Sequence, residues 1–322
     1  MKLVAIAAVI GSLVLPTALP ASAQNYPSGP VKIISDSAPG SAPDVILRVV
    51  AEALGQQWSQ QIVVMNQPGA GGSLAARAAS GATPDGYTFF MAVSSTFVTM
   101  KGAAPNIPAQ VPRDFVPVSF VSEQPMFITV SPETGIHSLA DLIALAKEKP
   151  GEISYAVAGR GRQSHLTGEL LERRAGIKLL MVPYSGGPAA AMGDLSTGRV
   201  SMLIEGGTAL IGAMQGGRLR GIAVGSESRL AEFPDLAAAA ETVPKFRSAG
   251  WLALVAPLGT PDAIVQKVNA DLRKVLTSPD VRTKLAALGS YTHPLSPADT
   301  QTFIQQEQQT WGPILDDLAR SQ

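Results

Sequence analysis

The chain has no cysteine, three histidines, and charged residues at only 16% of its 322 positions. Without cysteine there are no disulfides, no thiolate metal ligands and no lipid-modified cysteine to tether an exported chain, so the core must hold unaided. His137, His165 and His293 are far apart and lack a spacing such as H-x-x-x-H, which points to no metal site. The sequence also lacks a G-x-S-x-G elbow and a Walker A loop. Gly69-Ala70-Gly71-Gly72 and Gly159-Arg160-Gly161 begin a dinucleotide pattern but do not complete G-x-G-x-x-G, so no cofactor is expected. A formal net charge of +0 with no basic block argues against a nucleic-acid partner. Beyond the first fifteen residues, no charge-free apolar run is long enough to cross a bilayer.

What is present starts at the N-terminus. Lys2 is followed by an apolar run to Leu15, then Pro16, Pro20 and Ala21-Ser22-Ala23, the layout of a cleaved export signal over residues 1–23. The remaining 300 or so residues exceed one ordinary core and suggest two domains. With 31 glycines, many tight turns are expected.

Hydrophobic periodicity alternates between strand and helix. Strands are read at 31–35, 62–65, 87–93, 126–130, 153–157, 179–182, 202–204, 222–224 and 251–256. Helices are read after Ser41, with Asp44 completing a capping box and Gly55 as the stop, and at 73–82 and 138–149. Further helices run from about residue 164 to Ala175, from Pro188, from Pro261 to Thr277, and after Ser278 and Ser296. Asp44 and Arg48, four apart, read as a local ion pair. The expected fold is α/β and two-lobed, each lobe a mostly parallel sheet flanked by helices with the ligand cleft between. Lobe 1 comprises 24–124 and 249–322, and lobe 2 comprises 125–248.

In parallel sheets, ligands bind beyond the carboxyl ends of strands. The loops at those ends are rich in Gly, Ser and Thr: Ala38-Pro39-Gly40-Ser41, residues 68–73, Ser94-Ser95-Thr96, residues 159–164 with Gly161, Arg162 and Ser164, residues 184–187 after Tyr184, and Glu205-Gly206 onward. Glycine lets backbone approach a ligand, and helix N-termini supply unpaired N–H groups and a positive dipole end. Such a cleft favours an anion, most economically a carboxylate. Each loop taken singly also reads as an ordinary turn or cap. His165, at a helix start beside one loop, is open to either a structural role or a ligand contact.

Several of these loops carry a family likeness. Tyr26-Pro27, Ala38-Pro39-Gly40 with Asp44 and Arg48, Asn66-Gln67-Pro68-Gly69-Ala70-Gly71-Gly72 and Pro84-Asp85-Gly86-Tyr87-Thr88 resemble the N-terminal hallmarks of the Bug family, receptors of tripartite tricarboxylate transporters. Arg113-Asp114-Phe115, Gly159 and Gly161 with His165-Leu166, Val182-Pro183-Tyr184, Gly217-Arg218-Leu219-Arg220, Gly250-Trp251 and Ala256-Pro257-Leu258-Gly259-Thr260-Pro261 continue the likeness along the chain. It implies a hinge-closing periplasmic receptor, monomeric and without catalysis, that delivers a carboxylate to transporter membrane subunits. By the same likeness, residues 38–41 and 94–96 hold one carboxylate, while residues 159–165, Tyr184 and Glu205-Gly206 close from the other lobe.

Two positions depart from that family's pattern. Gly40 is followed by Ser41 where a second glycine is usual, and Arg162 stands where Ser or Thr is usual. Arginine grips a carboxylate through two parallel charge-assisted hydrogen bonds. Arg162, with Arg160 beside it, therefore points to a dicarboxylate, aliphatic or aromatic in the manner of terephthalate; both arginines also read as ordinary solvent-facing charges. The alternatives are an exported serine hydrolase using Ser164 or another loop serine with His165, and a receptor that reports to a membrane sensor.

Overall fold

The computed structural model describes residues 25–69, 72–98, 110–157, 159, 162–184 and 187–320. The expected export signal, Gly161 and Arg160 lie outside them. Among the described residues no helix is long and apolar enough to cross a membrane.

The chain opens with β1 (Val31–Ser35), α1 (Ala42–Trp58), β2 (Ile62–Asn66), α2 (Ser73–Ser80), β3 (Thr88–Val93) and a single turn, α3 (Ser94–Phe97). β1 lies between β2 and β3, parallel to both. Its Val31, Ile33 and Ile34 are all buried, as befits a central strand covered on both faces. A second parallel set comprises β5 (Ser154–Val157), β6 (Leu180–Pro183) and β7 (Met202–Gly206), with α4 (Leu139–Glu148), α5 (Gln163–Ala175), α6 (Pro188–Ser196) and α7 (Gly207–Gln215) around it. β8 (Arg220–Val224), β9 (Ala249–Pro257), α8 (Asp262–Thr277), α9 (Pro279–Ala287) and α10 (Pro297–Arg320) complete the order.

The two parallel sets are joined by antiparallel strands. β4 (Phe115–Val130) is 16 residues long; residues 115–125 pair with β9, and residues 126–130 pair with β7 and β8. β9 also pairs with β3, giving the order β2-β1-β3-β9-β4-β7-β5-β6 with β8 beside β4. Helices cover both faces. One apolar cluster packs α1, α8 and α9 on the β1 set, and another packs α6 and α7 on the β7 set. A third, running from Phe90 through Trp251 and Phe246 to Leu170, spans the joint.

Several element boundaries differ from the sequence reading. The long β4 was legible only over 126–130, because Pro117 and Pro125 interrupt its pattern; register shifts at 117/119 and 120/122 accommodate the interruption. Gly55 does not stop α1, which runs to Trp58 and ends on Ser59 in a left-handed conformation (φ 51°). Ser41 is the N-cap of α1 by position, yet its hydroxyl makes no cap and donates instead to the carbonyl of Ala38 at 2.7 Å. Ser94-Ser95-Thr96 is a helical turn, not a loop. Ser138 does cap α4, accepting from Asp141 N–H at 3.1 Å, and Ser296 accepts from Asp299 N–H at 3.1 Å.

Candidate functional site

A cavity of about 370 Å³ lies at the joint between the two parallel sets. Four helices of eight residues or more begin on it: α1 at Ala42-Pro43, α5 at Gln163-Ser164, α6 at Gly187-Pro188 and α7 after Gly206. Each helix start leaves backbone N–H groups without intrahelical partners, and the aligned peptide dipoles make that end positive. The floor comes from the joining strands, with Gln124 and Met126 of β4 and Gly250, Trp251 and Leu252 of β9. The convergence follows from topology. Parallel strands deliver their carboxyl ends, and the helices after them, to one side of the sheet.

The loop between β1 and α1 is held by Asp44. Its Oδ2 accepts from Gly40 N–H at 2.8 Å and Arg48 Nε at 3.0 Å, and its Oδ1 accepts from Asn66 Nδ2 at 2.8 Å. Asn66 also donates to the Ser37 carbonyl at 3.0 Å and accepts from Arg48 Nη2 at 3.1 Å. Burial works against the Asp44 carboxylate, but the hydrogen bonds from Arg48, Gly40 and Asn66 outweigh it and hold its pKa below the ordinary value. The ion pair expected from the i,i+4 spacing is thus part of a brace across β1, α1 and β2.

Two other acids behave oppositely. Asp36, one residue past β1, is pushed up to about 6 because burial penalises its charge more than its hydrogen bonds relieve it. Its Oδ2 accepts from the Thr96 hydroxyl, while Oδ1 is buried without a hydrogen-bond partner among the described residues. Glu205, in β7 and on the cavity wall, is also raised by burial, opposed by the Gly206 N–H at 3.1 Å and by the field of Arg162. Arg162, at the start of α5, lines the same wall. Ser164 is almost wholly buried against the cavity, and among the described residues its hydroxyl has no hydrogen-bond partner. A buried hydroxyl normally finds one.

Of the residues singled out from sequence, Ser41, Ser94, Ser95, Arg162, Ser164, Glu205 and Gly206 border the cavity. Gly161 lies outside the described residues. Ala38, Pro39 and Gly40 form the exposed rim beyond Ser41, and Thr96 sits behind the wall against Asp36. Tyr184 turns its hydroxyl to Asp194 Oδ2 at 2.7 Å. His165 is buried in the first turn of α5 and is not among the residues that line the cavity; its Nε2 lies 3.5 Å from Glu169 Oε1. Sequence reasoning did not single out Gln124, Met126 or Leu252, which sit inside strands and carry no loop signal. Trp251 was visible only as part of a family motif. Asp36, an acid directly after a buried strand, was the one signal that a loop inventory could have weighed.

The sequence matches the family described as "Tripartite tricarboxylate transporter family receptor" over residues 46–319. Protein BugT of Bordetella pertussis is 35% identical over 320 residues, covering 98% of both chains. Among solved structures, the R. palustris protein crystallised with adipate is 29% identical with a TM-score of 0.78, over 90% of this chain and 97% of that one. The periplasmic binding protein BugD is 29% identical with a TM-score of 0.74, over 91% and 98%. MatC from Rhodopseudomonas palustris with bound malate is 26% identical with a TM-score of 0.73, over 90% and 100%. The matching family is one of transporter receptors and BugD is a periplasmic binding protein, so the chain is not an enzyme and the hydrolase alternative is removed; among the described residues, moreover, the Ser164 hydroxyl has no hydrogen bond to a base.

Proposed function

The chain belongs to the tripartite tricarboxylate transporter receptor family, and on that premise we propose that it captures a small dicarboxylate and passes it to a transporter's membrane subunits. The observation that carries this reading is the meeting of four helix N-termini and the Arg162 guanidinium on one cavity. One ligand carboxylate takes the backbone donors around Ser41, Ser94 and Ser95. Arg162 takes the second, reaching from the other side of the cavity with a bidentate geometry suited to it. Ser164 and Gly206 complete the grip. Val93, Met126, Trp251 and Leu252 provide an apolar middle for the carbon skeleton. Similar proteins solved with adipate and with malate support a diacid in this architecture.

The proposal includes the division into lobe 1 (24–124 and 249–322) and lobe 2 (125–248), closing on the ligand about the point where β4 changes partners. It also places the protein in the periplasm as a monomer after removal of residues 1–23. A thermal-shift screen of mono-, di- and tricarboxylates tests the reading. A ligand bound only by the folded state raises stability by about 2.7 kcal/mol at a hundredfold excess over Kd, so a diacid should stand out. A flat response to every carboxylate defeats the proposal. Arg162→Ala should weaken the responding diacid about 10- to 100-fold, the worth of hydrogen bonds to a charged group. Unchanged affinity would remove Arg162 from the site.

A further inference from the structure

Among the described residues, two acids and one cation set the electrostatics of this cleft. Glu205 borders the cavity from β7, and Asp36 closes the end of β1 on the other side of the joint. The Glu205 carboxylate accepts one hydrogen bond among the described residues, from the N–H of Gly206 at 3.1 Å. Asp36 is enclosed by Val93 of β3, by Thr96 of α3 and by Gly72 at the start of α2, where an added Cβ would lie 3.0 Å from Asp36 Oδ2. Among the described residues, one carboxylate oxygen of Asp36 is buried and unpartnered. At the N-cap of α5, Arg162 is, among the described residues, the charged side chain whose field reaches both acids, and it favours the ionised form of each. Among those residues its guanidinium makes no hydrogen bond or ion pair, so its donors stand ready for a ligand.

We propose that capture of a diacid in this cleft takes up a proton from solution, held by Glu205 and Asp36 once the ligand claims Arg162. The inference rests on the diacid reading above. A ligand carboxylate forked onto Arg162 neutralises the positive field that both acids depend on. It also brings further negative charge into the same confined space. Like charges a few ångströms apart in such surroundings raise a carboxyl pKa by about a unit or more. Both acids already bind protons more tightly than ordinary carboxylates, so this further rise carries them towards neutrality. The sign follows directly. The complex binds more protons than the free protein, so affinity increases as pH falls, by up to about tenfold per unit for one proton. The ligand's own carboxyls titrate near 4 to 5, below this window.

Calorimetric titration with adipate and with malate, in phosphate and in Tris at pH 7, reads the proton directly. The two buffers differ in ionisation heat, so uptake of about half to one proton makes the observed heats diverge. Dissociation constants at pH 6, 7 and 8 should then show affinity at pH 6 at least severalfold above that at pH 8. Glu205→Gln should lose much of both effects, and the double variant with Asp36→Asn should lose them entirely. Identical heats in the two buffers with a flat pH profile overturn the inference while leaving the diacid reading intact. So does wild-type proton uptake in the double variant; if that variant does not fold, Glu205→Gln decides the assignment. If neither diacid binds at pH 6 or pH 8, the diacid reading falls and the inference with it.

Discussion

Asp36 and Gly72 show how tightly single residues are constrained behind the cleft wall. In the folded chain Asp36 titrates near 6, against an ordinary value of 3.8. Between those pH values the folded state binds the extra proton, so stability is fully present below about 4 and declines as pH rises through 6. Asp36→Asn keeps an acceptor for Thr96 and removes the charge. It should flatten that decline and stabilise the protein at pH 7 by ~1–3 kcal/mol, measured by urea unfolding at pH 4.5 and 7. An unchanged pH profile would show that another group carries the dependence. Gly72 tests the same node sterically. Its φ is +91°, and an added Cβ would lie 2.2 Å from Thr96 Oγ1. Gly72→Ala should therefore lose ~2–4 kcal/mol, seen as a lower Tm. Gly250 offers the contrast: its added Cβ would meet nothing nearer than Ser94 Oγ at 4.0 Å. Gly250→Ala should fold normally and weaken ligand binding by narrowing the cavity.

At the scale of elements, α10 does more than cover the sheet. Its Glu307 accepts from the indole N–H of Trp251 on β9 at 2.9 Å and from that of Trp311 on α10 at 3.1 Å. The same carboxylate group is reached by Arg247 at 3.3 Å, and Arg247 also donates to Glu123 on β4 at 2.6 Å. The last helix is thereby bonded to both strands that join the two halves. Glu307→Ala leaves two buried indole donors and part of a cation's coordination unmet, and should cost ~3 kcal/mol in chemical unfolding. Because Trp251 also borders the cavity, titration with a bound diacid should change intrinsic tryptophan fluorescence in the wild type. No change on saturation would mean that the ligand does not reach β9.

Across the whole molecule, the arrangement of β4 and β9 makes closure possible. A strand that pairs with one sheet half over residues 115–125 and with the other over 126–130 could flex at the change of partner with both ladders kept. Next to that change lie Ser248, bonded to Thr167 at 2.7 Å and Gln163 at 3.1 Å, and the close approach of Gly207 to Gly289. An added Cβ on Gly289 would fall 2.9 Å from the Gly207 Cα, so these glycines let α7 seat against the turn after α9. If the halves close on the ligand, small-angle scattering should record a smaller radius of gyration with saturating diacid than without. Equal radii would argue for a rigid cleft.

Local pattern alone determined the alternation of strands and helices and several of the loops that meet at the cavity. Those features rest on periodicity, turn chemistry and caps within a few residues, which a sequence displays directly. Arg162 and Glu205 were legible for the same reason, as charges set in Gly- and Ser-rich loops at strand ends. Only tertiary structure decided that Trp251, Gln124 and Met126 floor the cavity, because their place depends on pairing between strands far apart in the chain. It likewise revealed Asp44 as a brace beyond its ion pair with Arg48, and His165 as turned to Glu169. Asp36 marks the boundary most clearly. Its position after a strand is written in the sequence, but its raised pKa comes from burial against Thr96 and Gly72, and burial is a property of the folded chain.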